Sequence, residues 1–140
     1  MKLMAIDPGS RRHGMAVCDP LGLSVTPMEA VDAADAAAAA SRIALVASER
    51  DVERIVVGLP VNMDGSEGPA AGSARALGRQ LAEATGLPVD FWDERLTTQE
   101  AARNLRESGL SGSKRRKLVD SASAAVILRC YIDAKGREKP

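Results

Sequence analysis

Through the first thirty residues the hydrophobic positions fall in short runs divided by turn residues. Leu3–Asp7 is an apolar run that ends in a carboxylate, and Gly14–Asp19 alternates back from the Pro8–His13 turn. A second turn at Pro20-Leu21-Gly22 leads to Leu23–Val31, which is interrupted by Pro27. Proline has no N–H to give to a ladder, so this third strand belongs at a sheet edge. The chain therefore opens with an antiparallel meander. Asp7-Pro8-Gly9 at its first bend is also an ordinary turn signal, with Pro fixing φ and Gly permitting a positive one.

The period then changes. Asp35–Val46, with five consecutive alanines, predicts a helix capped by Asp32 or Asp35 and presenting Ala36, Ala40, Ile43 and Ala47 on one face. Arg54-Ile55-Val56-Val57-Gly58 is short, β-branched and unalternated, as in a strand covered on both faces. It runs into the polar, glycine-rich loop Leu59–Pro69. A helix follows with Ala74, Leu77, Leu81 and Ala84 in register, stopped by Gly86 and Pro88. Val89–Trp92 is the last strand, and Asp93-Glu94-Arg95-Leu96 leaves its end. Thr97 and Glu100 form a capping box for a helix reaching about Glu107. A basic connection, Leu110–Lys117, precedes a final helix near Val119–Asp133 whose circumference is mostly apolar. Residues 134–140 read as a charged, frayed tail. A meander followed by alternating helices and strands predicts one α/β domain over residues 1–140, with a mixed sheet covered on both faces.

Composition narrows the function classes. The chain has 140 residues, 45% hydrophobic and 27% charged, enough for one buried core. No run approaches the ~20 apolar residues of a membrane span, and no secretory leader is evident, which points to the cytoplasm. Cys18 and Cys130 are too few and too far apart for a disulfide framework or a thiolate zinc site. Nineteen basic and nineteen acidic residues cancel, which argues against a uniformly basic nucleic-acid surface but leaves room for a local basic patch. With only Phe91, Trp92 and Tyr131 as aromatics, single-strand binding by base stacking is disfavoured.

The chemistry rests on carboxylates. Sites in such sheets lie beyond the carboxyl ends of parallel strands. Asp7 ends the first strand, Glu94 follows the last, and Asp120 lies at the start of the final helix. Each has a bland alternative: a turn, a solvated strand exit beside Asp93, a helix cap. Converging acids without Cys or His partners favour Mg²⁺ or Mn²⁺ over zinc. Phosphodiester hydrolysis uses this arrangement, with two cations about 3.5–4 Å apart and basic side chains on the phosphate. His13, the only histidine, reads as an exposed turn residue.

Five blocks occur in the order of one family: Ile6-Asp7-Pro8-Gly9, Arg12–Val17, Val57–Gly65 (VGLPVNMDG), Asp93–Thr98 (DERLTT) and Val119–Ala124. The chain resembles the YqgF/RuvX family, described both as pre-16S ribosomal RNA nucleases and as Holliday junction resolvases. The resemblance spans nearly the whole chain. The Asp-Pro-Gly turn is weak alone, whereas the third and fourth blocks together are specific. It implies an RNase H-like α/β fold with a five-stranded mixed sheet of order 3-2-1-4-5 and helices on both faces. It implies Asp7, Glu94 and Asp120 as catalytic and metal-holding residues for Mg²⁺ or Mn²⁺. Arg11, Arg12, Asn62, Arg95, Lys114, Arg115 and Arg116 would then hold the nucleic-acid backbone. The implied reaction is hydrolysis of structured RNA, in maturation of the 5′ end of a 16S rRNA precursor. The alternative substrate is branched DNA, which would call for a two-fold homodimer; Leu110 and the basic connection are candidates for its interface. A noncatalytic nucleic-acid-binding module is the rival from another class. A kinase or actin-type ATPase closes two such lobes on a nucleotide, and this length supplies one. His13 departs from the apolar residue usual before the glycine. Lys117, one helical turn before Asp120, leaves no counterpart for the fourth carboxylate of related resolvases.

Overall fold

The computed structural model describes residues 1–97 and 121–138. Strands β1 (Leu3–Asp7), β2 (Arg12–Cys18) and β3 (Val25–Asp32) form the meander. Helix α1 (Ala36–Glu49), β4 (Arg54–Leu59), α2 (Pro69–Thr85), β5 (Val89–Asp93) and α3 (Ala122–Glu138) follow. The sheet has the expected order, β3-β2-β1-β4-β5. β1 is antiparallel to β2 and parallel to β4, and β4 is parallel to β5. The capping-box helix expected beyond Thr97, the basic connection with Lys114, Arg115 and Arg116, and Asp120 lie outside the described residues.

Strand alternation assigns the two faces. Met4 and Ile6 of β1, with Ile55 and Val57 of β4, pack under α1 and α2 against Ile43, Leu77 and Leu81. Leu3 and Ala5, with Val56, face the other way, onto Ala124, Ile127, Leu128 and Tyr131 of α3. β1 and β4 thus serve two cores at once, which explains their unalternated apolar sequences. Pro27 sits on the edge strand β3, opposite Ala16.

Local signals account for most element ends. Asp35, not Asp32, caps α1, its carboxylate accepting the Ala37 N–H at 3.0 Å. Pro69 opens α2 and Gly86 closes it with φ 71°. On α2 the buried face is Ala71, Ala74, Leu77, Gly78 and Leu81. Ala84, expected on that face, is exposed, because it lines an open groove with Ala44, Ala47 and Leu87. The final helix continues past the expected end at Asp133 to Glu138, carrying Gly136 within it. Only Pro140 offers a strong stop, since a proline restricts the residue before it. Among the described residues, no helix is long and apolar enough to cross a membrane.

Gly78 marks the closest approach of α2 to the sheet: a Cβ there would lie 2.5 Å from Cζ of Phe91. Gly78→Ala should gain about 1 kcal/mol of helix propensity but lose ~1–3 kcal/mol to overpacking. A net loss of about 1 kcal/mol is expected in urea unfolding. A gain equal to the propensity alone would show that Phe91 yields freely.

Candidate active site

The parallel register of β1, β4 and β5 brings their carboxyl ends to one edge. Ile6 pairs with Val57, Gly58 with Trp92, and Leu59 with Asp93. One step on, Asp7 lies level with Gly58, on the α3 face of the sheet. After β5 the chain turns through a single 3₁₀ turn, Glu94–Leu96, capped by Asp93, whose carboxylate accepts the Arg95 N–H at 2.9 Å. That turn folds Glu94 back over β4. A Cβ on Gly58 would stand 3.0 Å from Oε1 of Glu94 and 2.8 Å from Cδ1 of Ile127. The missing side chain is therefore what makes room for the carboxyl.

Asp7 and Glu94 share a hydrogen bond. Burial, then the bond to Asp7 and its charge, push the Glu94 carboxyl from an ordinary 4.5 up to about 7. Burial also raises Asp7, against the pull of the Glu94 bond and of the nearby His13 ring. Full ionisation of the pair is therefore disfavoured. Two oxygen-donor groups whose second negative charge is disfavoured fit a divalent cation, which would replace the proton and offset the repulsion. Two of the three expected carboxylates are thus together; the third, Asp120, is outside the described residues.

Around the pair, the turn is held by groups that are not themselves acids. Gly9 does not take the positive φ its turn suggests: the positive-φ glycines among the described residues are Gly22, Gly65 and Gly86. Space is what requires glycine, since a Cβ would lie 2.2 Å from the Arg12 carbonyl oxygen. His13, expected to be exposed, is only 6% exposed. Its Nδ1 accepts the Gly9 N–H at 3.3 Å and its Nε2 faces the Ala33 carbonyl at 3.0 Å. A polar ring can be buried here because both of its nitrogens find main-chain partners. Nothing in the lone sequence position signalled that.

The expected phosphate contacts flank the pair, with their charge already partly matched. Arg11 is paired with Asp32 at 2.7 Å, and Arg12 is exposed at the start of β2. Arg95 grips both oxygens of Asp93 through Nε and Nη2, at 2.7–3.1 Å. Asn62 turns inward to the Ser66 hydroxyl at 3.0 Å, and Ser66 is bonded to Asp64. Arg95 Nη1 reaches the Met63 carbonyl at 3.4 Å, which fastens this loop to the strand exit. The organising roles of Gly58, Asp93, Asp64 and Ser66 were not read from the sequence. The Asp-x-Ser spacing of the loop was the available signal for one of them.

The sheet order, with acids at the carboxyl edge beneath α3, defines the class: a resolvase-like α/β fold. In overall fold the chain is similar to Thermus thermophilus RuvC in complex with a Holliday junction substrate (TM-score 0.69, 20% identity, 96% of each chain). It is similar too to the Fowlpox virus resolvase bound to junction DNA (TM-score 0.60, 10% identity, 96% of this chain and 99% of that one). The profile of the RuvX family, described as Holliday junction resolvase, matches residues 1–134. The chain belongs to the RuvX family. Among its relatives, proteins named "Putative pre-16S rRNA nuclease" from Oenococcus oeni and Myxococcus xanthus are each 42% identical, over 98% and 96% of this chain and 97% and 89% of their own.

The Glu94 proton has a sign that stability can report. Glu94 binds its proton more tightly folded than unfolded, so its contribution is full below about 4.5 and is lost as pH rises towards about 7. The metal-free protein should lose stability across that window in urea unfolding, and Asp7→Asn should flatten the loss. Gly58→Ala should push Glu94 off Asp7 at a cost of ~1–3 kcal/mol. Carboxyl titration by NMR should then find Glu94 below about 7; an unmoved value would show that the methyl is accommodated elsewhere.

Proposed function

We propose that the chain is a divalent-metal-dependent nuclease that hydrolyses phosphodiester bonds of structured RNA, in 5′-end maturation of a 16S rRNA precursor. The observation that carries this reading is the Asp7–Glu94 pair, two carboxyls brought together at the carboxyl edge of the parallel strands. The RNA substrate is supported by relatives at about 42% identity named for that precursor. Asp7, Glu94 and Asp120 would hold Mg²⁺ or Mn²⁺. When bound, the cation supplies charge that favours ionisation of the attacking water and stabilises the departing oxygen. Asp7 and Glu94 must first give up their proton, so metal loading is favoured as pH rises. Arg11, Arg12 and Arg95, with Lys114, Arg115 and Arg116, would hold phosphates on either side of the scissile bond, and Asn62 would keep the adjoining loop in shape. We read residues 1–140 as one nuclease domain, working in the cytoplasm where its substrate is made.

A second reading, resolution of four-way DNA junctions, is favoured by the family's description and by the fold shared with RuvC. It requires a homodimer presenting two sites to symmetric strands. Purified protein with Mn²⁺ should cut precursor 16S rRNA in preference to a four-way junction. Asp7→Asn should lower kcat by at least about 100-fold, the scale set by losing one charge-stabilising group. Preferential cutting of the junction would favour the second reading. Failure to cut either, with normal Mn²⁺ binding, would leave a nucleic-acid-binding module.

A further inference from the structure

Ser121 directly precedes α3 and is fully buried. A hydroxyl so placed is costly unless bonded, and this one is bonded twice to main chain. The Met15 N–H donates to its Oγ at 3.0 Å, and the Oγ donates to the Met28 carbonyl. Met15 and Met28 are register partners of β2 and β3, and the ladder slips between His13 and Met15 immediately beside them. The hydroxyl therefore bridges two strands at a bulge, with its own backbone at the head of a helix. Bulges disrupt the ladder locally and leave main-chain groups needing other partners.

The position of this bridge matters. Met15 is the register partner of Ile6, and Gly14 is the partner of Asp7, so the bridge lies one rung from the first carboxylate. In sequence, Ser121 follows Asp120, the third carboxylate of the proposed set. We propose that Ser121 is a positioning residue for the metal site: its hydroxyl pins the head of α3 to the β2–β3 bulge and so holds the helix in fixed relation to the Asp7 rung. This rests on the metal-nuclease reading above. A serine that only filled the core would affect stability and leave metal affinity alone.

The full chain permits a direct test, because Trp92 is the only tryptophan and it pairs with Gly58 beside Glu94. Mn²⁺ binding is followed by quenching of that tryptophan, alongside kcat and KM for the nucleic acid. Folded Ser121→Ala should bind Mn²⁺ about 10-fold more weakly, the scale of losing a group that orients metal ligands. Its kcat should fall by a similar factor with KM unchanged. Ser121→Thr, which keeps the hydroxyl, should stay within about twofold of wild type on the same scale. If the alanine variant does not fold, Ser121→Cys, with a weaker donor, should fall between threonine and a tenfold loss. Wild-type Mn²⁺ affinity and kcat in a folded alanine or cysteine variant would overturn the proposal. A wild type that binds Mn²⁺ but cuts nothing would overturn the nuclease reading alone, with the Mn²⁺ affinities still deciding the role of Ser121.

Discussion

The constraint on which the rest depends is the parallel register of β1, β4 and β5 at their carboxyl ends. It sets Asp7 level with Gly58 and brings Asp93 to the end of the neighbouring strand. The 3₁₀ turn then drops Glu94 into the space that Gly58 leaves open. Two acids meet there because backbone pairing delivers them, and nothing in their own interaction would draw them together at neutral pH. A proton is the smallest charge that reconciles them, and a divalent cation would do the same. The site is thus a local strain of electrostatics carried by ladder bonds and by cores on both faces.

The two cores divide the work unequally. The larger joins α1 and α2 to one face and contains no part of the acid pair. The smaller, under α3, contains Ala5, Val56 and Ile127, immediate neighbours of the pair in register or in space. Its helix is tied at its head and near its middle. Ser121 enters the bulge at the head, and Tyr131 bonds Asp90, which Arg54 also contacts at 2.9 Å. A residue that shifts α3 therefore acts on the acids, while one that loosens α1 acts mainly on global stability.

Much of this was legible because it follows from local rules. The strand runs, the edge proline and the glycine stop of α2 each have a one-dimensional signature, and all were found where expected. The acids at Asp7 and Glu94 were legible for a related reason, since parallel strands expose their carboxyl ends together. What escaped was long-range complementarity. Gly58 reads as an ordinary strand glycine until Glu94 is seen above it. His13 reads as a turn residue until Gly9 and Ala33 are seen at its two nitrogens. Ser121, 106 residues from Met15, has no local pattern that declares its bond. Ala84 failed for the reverse reason, since helical spacing says which face points inward but not where an open groove leaves that face uncovered.

The same distinction bears on the arginines. The resemblance implied Arg95 as a phosphate contact; in the structure its Nε and one Nη2 hydrogen are committed to Asp93, and one Nη1 hydrogen to the Met63 carbonyl. A guanidinium has five N–H donors, so one remains on each terminal nitrogen. Asp93 cancels much of its charge at range, and an exposed pair of this kind contributes little to stability. Its effect is geometric: the fork fixes the plane of the guanidinium and ties the Asn62–Ser66 loop to the exit of β5. A phosphate arriving at Arg95 would meet a donor oriented before binding, with its rotamer entropy already spent on Asp93. Arg11 is held to Asp32 on the other flank by a single contact, from its Nε at 2.7 Å. Both flanks of the acid pair therefore carry arginines braced by aspartates, which reconciles a chain of zero net charge with a polyanionic substrate. Selectivity would come from the spacing of braced donors, with little contribution from long-range attraction.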